Sequence, residues 1–165
     1  MSTASYASKS MFHLDVDRLV GIMGGLAVLV ATGLPWYVRH LSVHVAGLAD
    51  RYATGFTIWD VRNTASWVIV VGVSIGLIAL LLPAARERRG GLVACAAAFG
   101  VILYGLISLF VVPDLGSIAL VGTGAAARVS TSTGVGPFVA IAGGFLMFFG
   151  GIAAASDAVT ATSGP

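Results

Sequence analysis

Residues 67–112 read WVIVVGVSIGLIALLLPAARERRGGLVACAAAFGVILYGLISLFVV. An apolar run from Trp67 to Leu82 is followed by a short charged turn, residues 83–91, and a second apolar run from Leu92 to Val112. A helix needs about 20 mostly apolar residues to cross about 30 Å of hydrocarbon, so the stretch reads as two antiparallel spans joined by a tight turn. Working outward, Leu19–Pro35 upstream and Pro137–Ala155 downstream supply two further runs, and none of the four contains Asp, Glu, Lys, Arg or His. The second run is short and gains length from 58–66 upstream or from Ala84 and Ala85. The expected fold class is therefore all-α integral membrane. It is a four-transmembrane-helix bundle forming one membrane domain over residues 15–155, with 1–14 and 156–165 as flexible cytoplasmic ends.

Composition agrees. Of 165 residues, 58% are hydrophobic and 10% charged, and the mean hydropathy is +0.98, whereas a soluble domain is about half apolar and a quarter charged. The net charge of +2 comes from scattered basic residues, which lack the basic stripe of a nucleic-acid binder. The single cysteine, Cys95, excludes an internal disulfide and a four-thiolate metal site. The first span could be read as a signal peptide behind Lys9 and Arg18. With no small-x-small cleavage site before Pro35 and Trp36, a retained anchor is expected. Asp15 and Asp17 mark its start as carboxylates at a helix N-terminus.

Arg86, Arg88 and Arg89 lie in the shortest loop, where the positive-inside rule is most reliable. They are the topology signal: the turn is cytoplasmic, both termini are cytoplasmic, and loops 37–66 and 113–136 face outward. A plasma-membrane, multi-pass protein is expected.

Helices in lipid associate through close packing and interhelical hydrogen bonds, for which small residues four apart provide flat faces. Gly21 and Gly25, Gly72 and Gly76, and Ala96 and Gly100 are assigned to helix packing on this pattern. Gly136, Ala140 and Gly144, on the glycine-rich fourth span, either pack within the bundle or dock on another protein's helix.

Two outer connections of about thirty and two dozen residues are too long to lack structure. Leu41, Val43 and Val45 alternate with His40, Ser42 and His44, the period of a half-buried strand. Residues 117–121 and 128–133 are β-tolerant runs around Gly122, Thr123 and Gly124. A small antiparallel sheet on the extracytoplasmic surface, built from both loops, is expected. Trp36, Tyr37 and Trp67 fit an aromatic belt at the headgroup level. Trp59, placed about 12 Å above Trp67 if one helix carries both, either packs under the sheet or meets a partner.

Four spans, a longer outer first loop with a tryptophan and a cytoplasmic turn between spans two and three together resemble the claudin-like tetraspan architecture. The tryptophan and paired-cysteine signature of that family's first loop is missing, since the sole cysteine, Cys95, lies in the third span. The Gly33-Leu34-Pro35-Trp36 motif that closes span one, and Gly134-Val135-Gly136-Pro137-Phe138 that opens span four, resemble small tetraspan proteins of actinobacterial membranes. The resemblance implies an accessory subunit of a larger envelope assembly, one class being the small subunit that accompanies an MCE-type lipid importer.

Candidate chemistry is sparse. Proton-coupled transport needs an ionisable group near the midplane, and the spans offer only hydroxyls at Thr32, Ser74, Tyr104 and Ser108. His40 and His44 on one strand stand about 13 Å apart, too far to share a metal. Cys95 has no adjacent base, and Gly122-Thr123-Gly124 lacks the lysine of a phosphate loop. No catalytic, cofactor or metal site is therefore expected. The leading expectation is a non-catalytic accessory subunit that docks laterally on a larger integral membrane protein complex. Trp59, Asp60 and Arg62 outside, with Gly136, Ala140 and Gly144 in the membrane, are its docking residues; membrane lipids are also partners, nucleic acid is not. The alternative is a stand-alone protein binding a lipid or apolar ligand between helices, and the third reading is a small transporter or channel.

Overall fold

Each apolar run forms a helix in the computed structural model, which describes residues 16–45, 48–81, 88–112 and 126–162. Helix α1 spans Val16–Gly33, α3 Asn63–Leu81, α4 Arg88–Phe110 and α5 Gly136–Thr162, and all four are long and apolar enough to cross a membrane. A one-turn helix, α2, Ile58–Val61, precedes α3. Strands β1, Tyr37–Val45, β2, Leu48–Phe56, and β3, Ala126–Thr133, complete the elements.

The helix starts and stops follow local chemistry. Asp17 occupies the first turn of α1, where a carboxylate meets the positive end of the helix dipole. Pro137 falls in the first turn of α5, where its missing N–H costs nothing. The expected start of the second span moves back to Asn63, as its short apolar count required, and α5 continues to Thr162, beyond the expected boundary at Ala155. Arg86 and residues 1–14 lie outside the described residues, whereas Arg88 opens α4 and Arg89 is exposed on it.

Helix α5 is the hub: it packs along α1 on one side and α4 on the other, and α3 closes the ring between α4 and α1. The close approaches are made by glycine. A Cβ on Gly24 would stand 2.5 Å from the Gly143 carbonyl oxygen, one on Gly91 2.5 Å from that of Gly151, and one on Gly150 would collide with Gly21. Outward-facing positions stay apolar, as at Val30, Ile78, Phe99 and Phe149. In lipid nothing drives such side chains inward.

The expected sheet is present. The strand order is β2-β1-β3, antiparallel throughout, with Tyr37 opposite both Phe56 and Thr133. β1 and β2 come from the first loop and β3 from the last. β2 is a strand that period-2 alternation did not reveal, because LADRYATGF mixes polar and small residues. Only Ala46 and Gly47 separate β1 from β2 in sequence, a length that suits a hairpin. Residues 117–121 lie outside the described residues. The sheet caps the end of the bundle where α1 and α4 finish and α3 and α5 begin.

The two quoted glycine motifs meet at that junction. The Trp36 N–H donates to the Phe56 carbonyl, the Gly134 N–H to that of Trp36 and the Gly136 N–H to that of Pro35, each at 2.8 Å. Trp36 and Tyr37, each 1% exposed, lie in the core, which corrects the expected aromatic belt at these two positions. The Trp36 indole N–H donates to the Ala31 carbonyl at 2.7 Å, and its ring tilts against Tyr104 at 5.8 Å. Space for the indole exists because Gly136 has no side chain.

Candidate functional site

The expected docking residues are distributed by the structure in two ways. Gly136, Ala140 and Gly144 are buried within the bundle: Gly136 faces Trp36, Ala140 is 0% exposed, and a Cβ on Gly144 would stand 2.8 Å from Ile102. The α5 glycine face is thus consumed by the chain's own helices and is closed to another protein. This corrects its assignment as a docking face. Met147 projects over Gly76, and Leu77 lies over Gly25, so these two glycines, with Gly21, do serve packing.

Gly72 and Gly100 do not. A Cβ at either position meets nothing within 4 Å, so the helix-packing role assigned to them has no partner within the chain. With Ala96 they line a groove of about 410 Å³ between α3 and α4, which extends from Ala65 and Tyr104 at the sheet end to Val73. Its walls are apolar except for Tyr104. The groove lies where small-residue positions of α3 and α4 face each other. Tertiary contact alone could show this, since the sequence spacing of a packed stripe and an open one is the same.

Of Trp59, Asp60 and Arg62, none lines this groove, and Arg62 lies beside its Tyr104. Trp59 packs edge to face on Trp67, with ring centroids 5.4 Å apart and planes at 84°. The expected 12 Å separation fails because the helix breaks at Arg62, whose backbone leaves the helical region at φ −143° and ψ 68°. The two rings can then turn towards each other. Trp67 is 58% exposed.

Asp60 is engaged locally: the Thr57 N–H and hydroxyl each donate to its Oδ2 at 2.8 Å. The hydroxyl bond and then the backbone bond hold its carboxyl below the ordinary value, because both favour the charged form. Arg62 ends α2, its N–H donating to the Ile58 carbonyl at 2.8 Å. Its carbonyl accepts from the Ser66 N–H and hydroxyl, both at 3.1 Å. The exposed Arg62 guanidinium and the Ser108 hydroxyl lie beside the Tyr104 hydroxyl.

Several other polar groups bond to backbone. Thr32 donates to the Leu29 carbonyl at 2.7 Å and Ser108 to that of Tyr104 at 2.9 Å. The Cys95 thiol donates to the Phe148 carbonyl at 3.5 Å. His40 is hydrogen-bonded with Ser132 across the sheet at 3.1 Å. Among the described residues no three His, Cys, Asp or Glu side chains converge as metal ligands.

No protein-family model matches the chain, and no curated protein is significantly similar to it. Function therefore has to be read from the chemistry of the site itself. That chemistry is an apolar groove with the Tyr104 phenol in its lining and the Arg62 guanidinium beside that phenol.

Proposed function

We propose that the chain is a non-catalytic membrane protein that holds one lipid acyl chain, or a comparably apolar ligand, between α3 and α4. The observation that carries this reading is the empty space at Gly72 and Gly100, beside glycines elsewhere that are in contact with neighbouring helices. Small residues that pack helices have partners; these have a groove. The test is native mass spectrometry of the protein extracted in mild detergent. One retained lipid per chain is expected, and Gly72→Leu with Gly100→Leu should displace it while circular dichroism shows an unchanged fold, because both substitutions point into open space. A double variant that keeps its lipid, or a wild-type chain that carries none, would overturn the reading.

A second reading, an accessory subunit docked laterally on a larger integral membrane complex, is favoured by the same groove, since small residues also admit a partner helix. It moves the membrane contact from the α5 face to α3 and α4. Affinity purification in mild detergent at endogenous expression separates the two. A stoichiometric companion that the Gly72→Leu, Gly100→Leu double variant loses supports docking, and recovery of a lone lipid-carrying chain supports the first reading. In both, the chain sits in the plasma membrane with its termini and Arg88–Arg89 on the cytoplasmic side, the orientation that the positive-inside rule favours, and the sheet faces outward.

A further inference from the structure

The groove is polar at one end only, and that asymmetry indicates what kind of amphiphile it suits. Ala65 to Val73 on α3 and Ala96 to Tyr104 on α4 each span eight residue steps, about 12 Å at 1.5 Å per residue. That is most of one leaflet, about 15 Å of a 30 Å hydrocarbon core. The slot thus matches a chain that enters from one side rather than a path through the membrane.

Tyr104 lines the groove at the sheet end, and the Arg62 guanidinium lies beside its hydroxyl. Asp60, two residues away, is held by Thr57. Arg62 is exposed, and guanidinium groups bind phosphate oxygens through paired, charge-assisted hydrogen bonds.

We propose that the occupant is an anionic phospholipid, its acyl chain between α3 and α4 and its phosphate on the Arg62 guanidinium beside the Tyr104 hydroxyl. This rests on the lipid-holding reading above and adds the headgroup class. A cation beside the Tyr104 hydroxyl adds little to an uncharged partner helix. It suits a molecule whose negative charge lies at the end of an apolar chain.

The test titrates the full-length protein, in mild detergent, with phosphatidylglycerol and phosphatidylcholine of identical acyl chains and reads occupancy by native mass spectrometry. Phosphatidylglycerol should bind about fivefold more tightly, the worth of one cation near a membrane surface. Arg62→Gln should abolish that preference while phosphatidylcholine still binds, and Arg51→Gln, an exposed arginine on β2, should leave it unchanged. Glycerol 3-phosphate, the headgroup without chains, should fail to compete at the same concentration. Equal binding of the two lipids to the wild type, with displacement by Gly72→Leu and Gly100→Leu intact, would overturn the anionic assignment and leave the lipid-holding reading standing. An unchanged preference in Arg62→Gln would also overturn it. A wild-type chain that binds neither lipid would sink both.

Discussion

At the scale of single residues, glycine does two opposite things in this chain, and substitution separates them. Gly24 lies against the Gly143 carbonyl, and a Cβ there would also stand 2.5 Å from the Met147 backbone nitrogen. Gly24→Ala should therefore force α1 off α5 and lower stability by about 1–3 kcal/mol, the usual cost of overpacking. Gly72→Ala and Gly100→Ala meet open space and should stabilise α3 and α4 by about 0.5–1 kcal/mol each, because glycine is a poor helix former. Thermal melts in one detergent check both signs. Asp60 gives a pH-dependent prediction. Its folded pKa lies below the unfolded value of about 3.9. The stability it confers is thus fully present above about pH 4 and is lost as pH falls through the lower folded value. The melting difference between wild type and Asp60→Ala should hold constant from about pH 7 to pH 5 and shrink below about pH 4. These roles were only partly legible in the sequence. Asp60 three residues after Thr57 is a capping pattern, but the spacing of Gly72 and Gly76 says nothing of which one meets Met147.

At the scale of elements, the joint between α2 and α3 replaces the single long helix that would have kept Trp59 and Trp67 apart. The break at Arg62 folds Trp59 back, and an edge-to-face pair of this kind is worth about 0.5–1.5 kcal/mol beyond buried area. A double-mutant cycle of Trp59→Leu and Trp67→Leu should show coupling of that size, and an uncoupled pair would mean that the joint is held by its backbone bonds alone. The sheet divides in the same way. β1 was legible because Leu41, Val43 and Val45 alternate with polar residues, whereas β2 is a strand by virtue of its partner. Its register, Leu41 opposite Tyr52 and Arg39 opposite Thr54, comes from a hairpin and not from its own pattern. Trp36 shows the limit of interfacial preference. An aromatic at the end of a span is placed equally well by a headgroup or by a core that offers it a carbonyl, and Ala31 offers one.

At the scale of the whole molecule, the antiparallel arrangement puts the sheet at one end of the bundle and Ser156 towards the other. With Cys95→Ala as background, Ser130→Cys on β3 should react with a membrane-impermeant maleimide added to intact cells. Ser156→Cys should react only after the cells are opened; the reverse pattern would invert the proposed orientation. Both serines are exposed, so neither substitution disturbs packing. Four candidate spans and a strand in the first loop were legible in the sequence alone. Apolar run length and alternation are local properties, and a bilayer imposes its thickness on any chain that crosses it. Which small-residue stripe packs and which stays open was decided by tertiary structure. Every span carries such stripes, and their fate depends on how neighbouring helices are set, not on spacing along one helix. The α5 glycines are covered because α1 and α4 both close on that helix, and Gly72 and Gly100 are left facing a groove because no helix lies across them.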